Sequence, residues 1–251
     1  MTFDLNGQTI FITGAGRGLG RSVAMLTASC GARVGVSDID PDGCAGTVDA
    51  IRAEGGEAFS YPADLGRRDE VFRVVKAFAA DAGPLTALVN NAMILLYEPI
   101  EKVREDVFDK MLAIGVKAPV WGVQAFLETM DPERGGAIVN MASPVAERGY
   151  PNTAIYSMVK GATVTLTKTL SAELGPRRVR VNAVAPGSVP TPGALGLNDP
   201  AEYERRSRTI PLRRLGREQD NAQAVAFLLS AEASFINGEI LHVDGGIAAA
   251  G

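Results

Sequence analysis

The 251-residue chain contains one histidine, two cysteines and one tryptophan, so it is poor in the side chains that commonly bind metals or relay protons. Cys30 and Cys44 fit no ligand spacing, and with a single histidine they cannot build a His/Cys zinc site. A Ser/His/Asp mechanism would have to run through His242, close to the C-terminus in LHVDGG, and that residue reads as a packing or interface group. The chemistry must draw on another acid or base. No apolar run approaches the ~20 residues needed to cross a bilayer. The opening MTFDLNGQTI lacks the basic and apolar regions of a signal peptide, so a soluble cytoplasmic protein is expected. A basic excess is also missing: the net charge is −4, which argues against nucleic acid as the main partner.

What is abundant is apolar sequence in short β-branched runs. The composition, 46% hydrophobic and 22% charged, suffices for one large core. TIFIT, ARVGVSD, EAFSYPA, LTALVNNA, GAIVNMAS, VRVNAVAP and EILHVDGG alternate with segments of helical period, and these strands are too apolar to face water. The pattern predicts an α/β fold: a single Rossmann-type doubly wound domain over residues 1–251, with about seven parallel strands and helices on both faces. Pro186 to about Pro200 reads as a long irregular connection after a strand end, and a substrate lid is expected over about 187–215.

The first strand runs directly into TGAGRGLG. Gly14, Gly16, Gly18 and Gly20 let the backbone turn sharply and approach a pyrophosphate held by the amides of the following helix. The spacing is T-G-x-x-x-G-x-G, with Leu19 where a G-x-G-x-x-G loop has its third glycine. Asp38 ends the second strand. A carboxylate there can accept from the adenosine ribose hydroxyls and repels a 2′-phosphate, which favours NAD over NADP; Arg17 and Arg33 pull the other way. Tyr156 and Lys160 lie four apart in YSMVK, one turn apart on the same helical face.

With TGAGRGLG, NNA at 90–92, Ser143, YSMVK at 156–160, NAVAPG and a closing FINGEILHVDGG, the chain resembles the short-chain dehydrogenase/reductase family over essentially its whole length. The resemblance implies a nicotinamide cofactor and hydride transfer between a secondary alcohol and a ketone. It makes Tyr156 the acid/base, Lys160 the residue that bonds the cofactor ribose and lowers the Tyr156 pKa, and Ser143 the hydroxyl that holds the substrate oxygen, in preference to Ser157. It places the loop residues Gly14, Gly16, Arg17, Gly18, Leu19 and Gly20 at the cofactor, with Asp38 and Ile39 at the adenosine end. Asp64 and Leu65 resemble adenine contacts, while Asn91, Ala92 and Met93 lie along the ribose. Asn90 ties the central strands, and Pro186, Gly187, Val189 and Thr191 hold the carboxamide. A homotetramer is expected, formed at the last strand.

Two positions depart from the family. Met93 stands where NNAG has glycine, and Gly115 stands where the catalytic asparagine belongs. In the family that asparagine shapes a helix bulge whose carbonyl holds a water linking the lysine to solvent. A glycine keeps the carbonyl and loses the side chain. The alternatives are therefore an active enzyme with a modified proton path, or a nucleotide-binding homologue of little activity. Arg205, Arg206, Arg208, Arg213 and Arg214 raise a third possibility, a 3-oxoacyl thioester reductase meeting an acidic partner, although Glu202 and Glu204 beside them favour a solvated helix face.

Overall fold

The computed structural model describes residues 3–193 and 200–250. Seven strands form one parallel sheet in the order β3-β2-β1-β4-β5-β6-β7: β1 (Thr9–Thr13), β2 (Arg33–Ser37), β3 (Glu57–Ser60), β4 (Ala87–Asn90), β5 (Gly136–Met141), β6 (Val179–Pro186) and β7 (Ile240–Val243). Side-chain alternation along each strand divides the core in two. Ile10, Ile12, Val34, Val36 and Val89 pack under helices α1 (Gly18–Ser29), α2 (Pro41–Ala53) and α8 (Glu218–Leu229). Phe11, Leu88 and Ile138 face the other way, onto α3 (Arg68–Ala82), α5 (Ala118–Thr129) and α6 (Ala154–Leu174). Phe78 anchors that second layer, with ring centroids 5.8 Å from both Phe11 and Tyr61.

The chain leaves β1 for β2 and β3 on one side, then returns to place β4 against the other edge of β1. This reversal opens a crevice at the carboxyl ends of β1 and β4, the place where ligands sit in doubly wound sheets. The loops after β1, β2, β4, β5 and β6 carry Gly14, Asp38, Asn91, Ser143 and Gly187.

Two helical segments differ from the sequence expectation. The stretch 101–126 is not uniformly α-helical: α4 (Glu105–Leu112) and α5 are joined by a π-turn, Ala113–Lys117, in which the Ala118 amide donates to the Ala113 carbonyl. Helix α8 has no counterpart among the expected elements because its first turns, EQDNAQ, are polar and blur the apolar period. Asp220 anchors its start by accepting the Arg217 amide at 2.8 Å. Helix α7 (Pro200–Thr209) follows residues 194–199, the part of the expected lid that lies outside the described residues.

Candidate active site

The glycine loop closes on the strand beside it. Gly14 has φ +64°, and a β-carbon there would come within 2.8 Å of the Ala92 α-carbon, so only glycine fits. The Asn91 side chain donates to the carbonyls of Thr13 (2.9 Å) and Gly14 (2.8 Å), and the Thr13 hydroxyl accepts from the amides of Asn91 (2.9 Å) and Ala92 (3.1 Å). Asn91 therefore holds the loop in place. Thr13 was not among the expected site residues; it looks like an ordinary β-branched strand residue.

Helix α1 starts with no side-chain cap at Arg17 and no acidic residue in its first turn, whereas α2 is capped by Asp40. Its leading amides therefore have no side-chain cap, the kind of donor set that a pyrophosphate requires. Asp38 reaches this loop. Its carboxylate accepts from the Gly16 amide at 3.0 Å and the Asp40 amide at 3.2 Å. Ile39, next in sequence, is 72% exposed. Arg17 is exposed beside the loop, but Arg33 sits at the opposite end of β2 and donates to Thr9 Oγ1 at 3.2 Å. Five residues of strand, about 16 Å, separate it from Asp38, so Arg33 does not approach the adenosine end. Asp64 is exposed, with Leu65 buried beside it. Gly187 abuts Asp244, while a β-carbon on Gly18 would lie 3.5 Å from Thr191, which puts the segment after β6 over the start of α1.

The residues that the family resemblance assigns to the reaction converge between β5 and α6. Tyr156, Lys160 and Ser143 are all buried. Burial pushes the Tyr156 phenol above the ordinary range, and the nearby Tyr97 adds to this; a hydrogen bond with the Ser143 side chain opposes them. Burial pushes the Lys160 amine down to about 8, while its ammonium donates to the Met141 carbonyl at 2.6 Å. The ammonium lies 5.6 Å from the Tyr156 ring centroid. The sequence reading expects Lys160 to lower the phenol; in the structure burial and Tyr97 set its direction, upward, and Ser143 is the group that opposes them. Ser157 is engaged elsewhere, its hydroxyl 2.9 Å from that of Thr153.

Tyr97, unassigned by the sequence reading, packs edge-on against Tyr156 with centroids 5.6 Å apart. Burial raises its pKa, with Arg206 opposing. Arg206 also donates to Ser188 at 3.2 Å, which brings α7 to the wall of the site. Tyr97 sits in a loop where no local period marks it. Asn90 donates to Asn140 at 2.9 Å, and Asn140 to Thr167 at 3.0 Å, tying β4, β5 and α6. His242 lies 3.5 Å from Glu147, outside the Ser143–Tyr156–Lys160 group. An open cavity of about 670 Å³ between Pro99–Glu101 and Gly149–Ser157 does not include Ser143, Tyr156 or Lys160 in its lining. Among the described residues no His, Cys, Asp and Glu cluster could hold a metal, and no helix is long and apolar enough to cross a membrane.

A glycine loop at the sheet reversal and a buried Ser-Tyr-Lys group point to a nicotinamide-dependent oxidoreductase. The family described as enoyl-(acyl carrier protein) reductase matches residues 14–248. A 3-oxoacyl-[acyl-carrier-protein] reductase from Staphylococcus epidermidis is 35% identical, over 96% of this chain and 98% of its own. A solved short-chain dehydrogenase/reductase from Serratia marcescens superposes with a TM-score of 0.92 at 30% identity, covering 97% of this chain and 99% of its own. A structure from Agrobacterium tumefaciens with bound NADP gives a TM-score of 0.89 at 33% identity, with 99% of both chains covered. The chain belongs to the short-chain dehydrogenase/reductase family. It is an oxidoreductase of CH–OH groups that works with a nicotinamide cofactor.

Proposed function

We propose that Tyr156 exchanges the hydroxyl proton of a secondary alcohol or ketone, with Ser143 positioning the reacting oxygen and Lys160 supplying the nearby positive charge. The convergence of these three buried groups behind the glycine loop carries this reading. The cofactor supplies hydride transfer. In the reductive direction the substrate oxygen accepts the Tyr156 proton while Ser143 donates to it, so charge developing on that oxygen is stabilised. In the oxidative direction Tyr156 must first be ionised, which its buried setting opposes. The raised phenol therefore favours the acid role at neutral pH. The Gly115 carbonyl, which has Pro119 rather than an amide donor four residues on, is assigned the water on the path that resupplies the proton.

The cofactor assigned to this site is NAD, held by Gly14, Gly16, Arg17, Gly18, Leu19 and Gly20, and by Asp38, Ile39, Asp64, Leu65, Asn91, Ala92, Met93, Tyr156, Lys160, Pro186, Gly187, Val189 and Thr191. The Asp38 carboxylate at the Gly16 amide supports it, since a 2′-phosphate would meet that negative charge. The NADP-bound relative makes the contrast worth measuring. Fluorescence titration with NADH and NADPH tests it: tighter NADH binding, reversed or levelled in Asp38→Asn, is expected, and equal binding in the parent protein removes the assignment.

A thioester-reductase reading draws support from the 35% identical acyl-carrier-protein reductase. Against it, Arg205 and Arg206 are bridged to Glu202, Arg208 to Glu204 and Arg214 to Asp220, so four of these cations already hold a carboxylate, although residues 200–217 remain net positive, with six arginines against two glutamates. The assembly proposed is a cytoplasmic homotetramer with two-fold symmetry, built at the β7 edge of the sheet.

A further inference from the structure

Gly115 and Met93, separate departures in the sequence, meet in the structure. A β-carbon on Gly115 would lie 2.3 Å from Val159 Cγ1 and 2.8 Å from the Met93 sulfur. Met93 has no positive φ, so it needs no glycine at its own position; its thioether packs beside the Gly115 α-carbon. Val159 is the residue before Lys160 on α6.

A second feature explains why the π-turn persists at a glycine. Pro119 lies four residues after Gly115, in the first turn of α5. Proline has no amide hydrogen, so the Gly115 carbonyl receives no α-helical donor from that position, and the ring crowds the same carbonyl. The helix adopts the wider turn instead.

We propose that Pro119, Met93 and Val159 together replace the missing side chain at position 115: Pro119 keeps the Gly115 carbonyl out of the α-helical ladder, while Met93 and Val159 fix the glycine against the Lys160 turn. They are positioning residues that act through Gly115 and Lys160. The inference rests on the reading of Tyr156 and Lys160 as the reacting pair.

Variants of the full-length protein test it. Pro119→Ala restores an amide to the helix, which favours folding while letting the Gly115 carbonyl be captured. A fall in kcat of about tenfold is expected, with NADH affinity unchanged, melting temperature unchanged or higher, and a shifted kcat–pH profile. Gly115→Ala forces Val159 and Lys160 to move, and displacement on the order of 1 Å in a reacting group costs up to about 100-fold. Val159→Ala in the same chain should recover most of that loss, a rescue that a merely structural glycine would not show. Gly115→Asn alone should also lose activity. Parent-like kcat and pH profile in Pro119→Ala, or no recovery in Gly115→Ala/Val159→Ala, overturns the proposal. Tyr156→Phe in parallel separates the two readings: if it stays active, the underlying assignment fails, whereas if it is inactive and Pro119→Ala is unaffected, only this inference fails.

Discussion

Lys160, proposed here as part of the reacting group, works against the stability of its own fold. Its pKa is lowered from 10.5 to about 8 because the amine is buried, so keeping it charged at neutral pH costs roughly 3 kcal/mol. The unfolded chain binds that proton more tightly, so stability is reduced below about pH 8 and recovers as pH rises from about 8 toward 10.5. Tyr156, raised by burial, acts oppositely and only above its unfolded pKa of 10.0, where the unfolded chain releases its proton first. Lys160→Met should remove turnover yet raise stability at pH 7 by about 1–2 kcal/mol, after allowing for the stranded Met141 carbonyl. Urea titrations at pH 7 and 9 check this; the stability gain should shrink at the higher pH. Tyr97 offers a second residue-scale test. Tyr97→Ala removes the edge-on partner of Tyr156, and a higher KM with a smaller change in kcat is expected for substrates that pack on that wall.

At the scale of elements, regular periodicity was readable and its interruptions were not. All seven strands could be placed because buried β-branched runs alternate with helices, and the glycine loop, Asp38, Ser143 and YSMVK fall at strand ends or a helix start fixed by those runs. The π-turn could not be placed from period, since it depends on whether Pro119 withholds a bond from residue 115. The meeting of Met93, Gly115 and Val159 joins three elements and leaves no trace in any one of them. Arg33 was misplaced for a related reason: sequence proximity to Asp38 ignores that strand length carries it to the far end of β2. The Asn90–Asn140–Thr167 chain joins two strands and a helix through buried amides. Asn140→Ala should cost about 1–3 kcal/mol, measured by thermal or denaturant unfolding, because it strands the Asn90 amide in the interior.

At the scale of the whole molecule, the sheet reversal brings together the loop proposed to hold the nucleotide and the loop carrying Ser143, two half-sites distant in sequence. Phe235, fully exposed in the turn before β7, lies near the proposed assembly edge. Light scattering of Phe235→Asp should show a smaller species than the parent if that edge carries the tetramer. An unchanged mass would move the interface elsewhere.

The role proposed for Tyr156 is to exchange the substrate proton next to a bound nicotinamide. It is tested most directly by following absorbance at 340 nm for the parent and Tyr156→Phe, with NAD⁺, NADP⁺ and their reduced forms against secondary alcohols and ketones, and cofactor binding measured alongside. Turnover by the parent, a loss of about 100-fold or more in Tyr156→Phe, and unchanged cofactor affinity are the expected result. Equal turnover by the two proteins would contradict it.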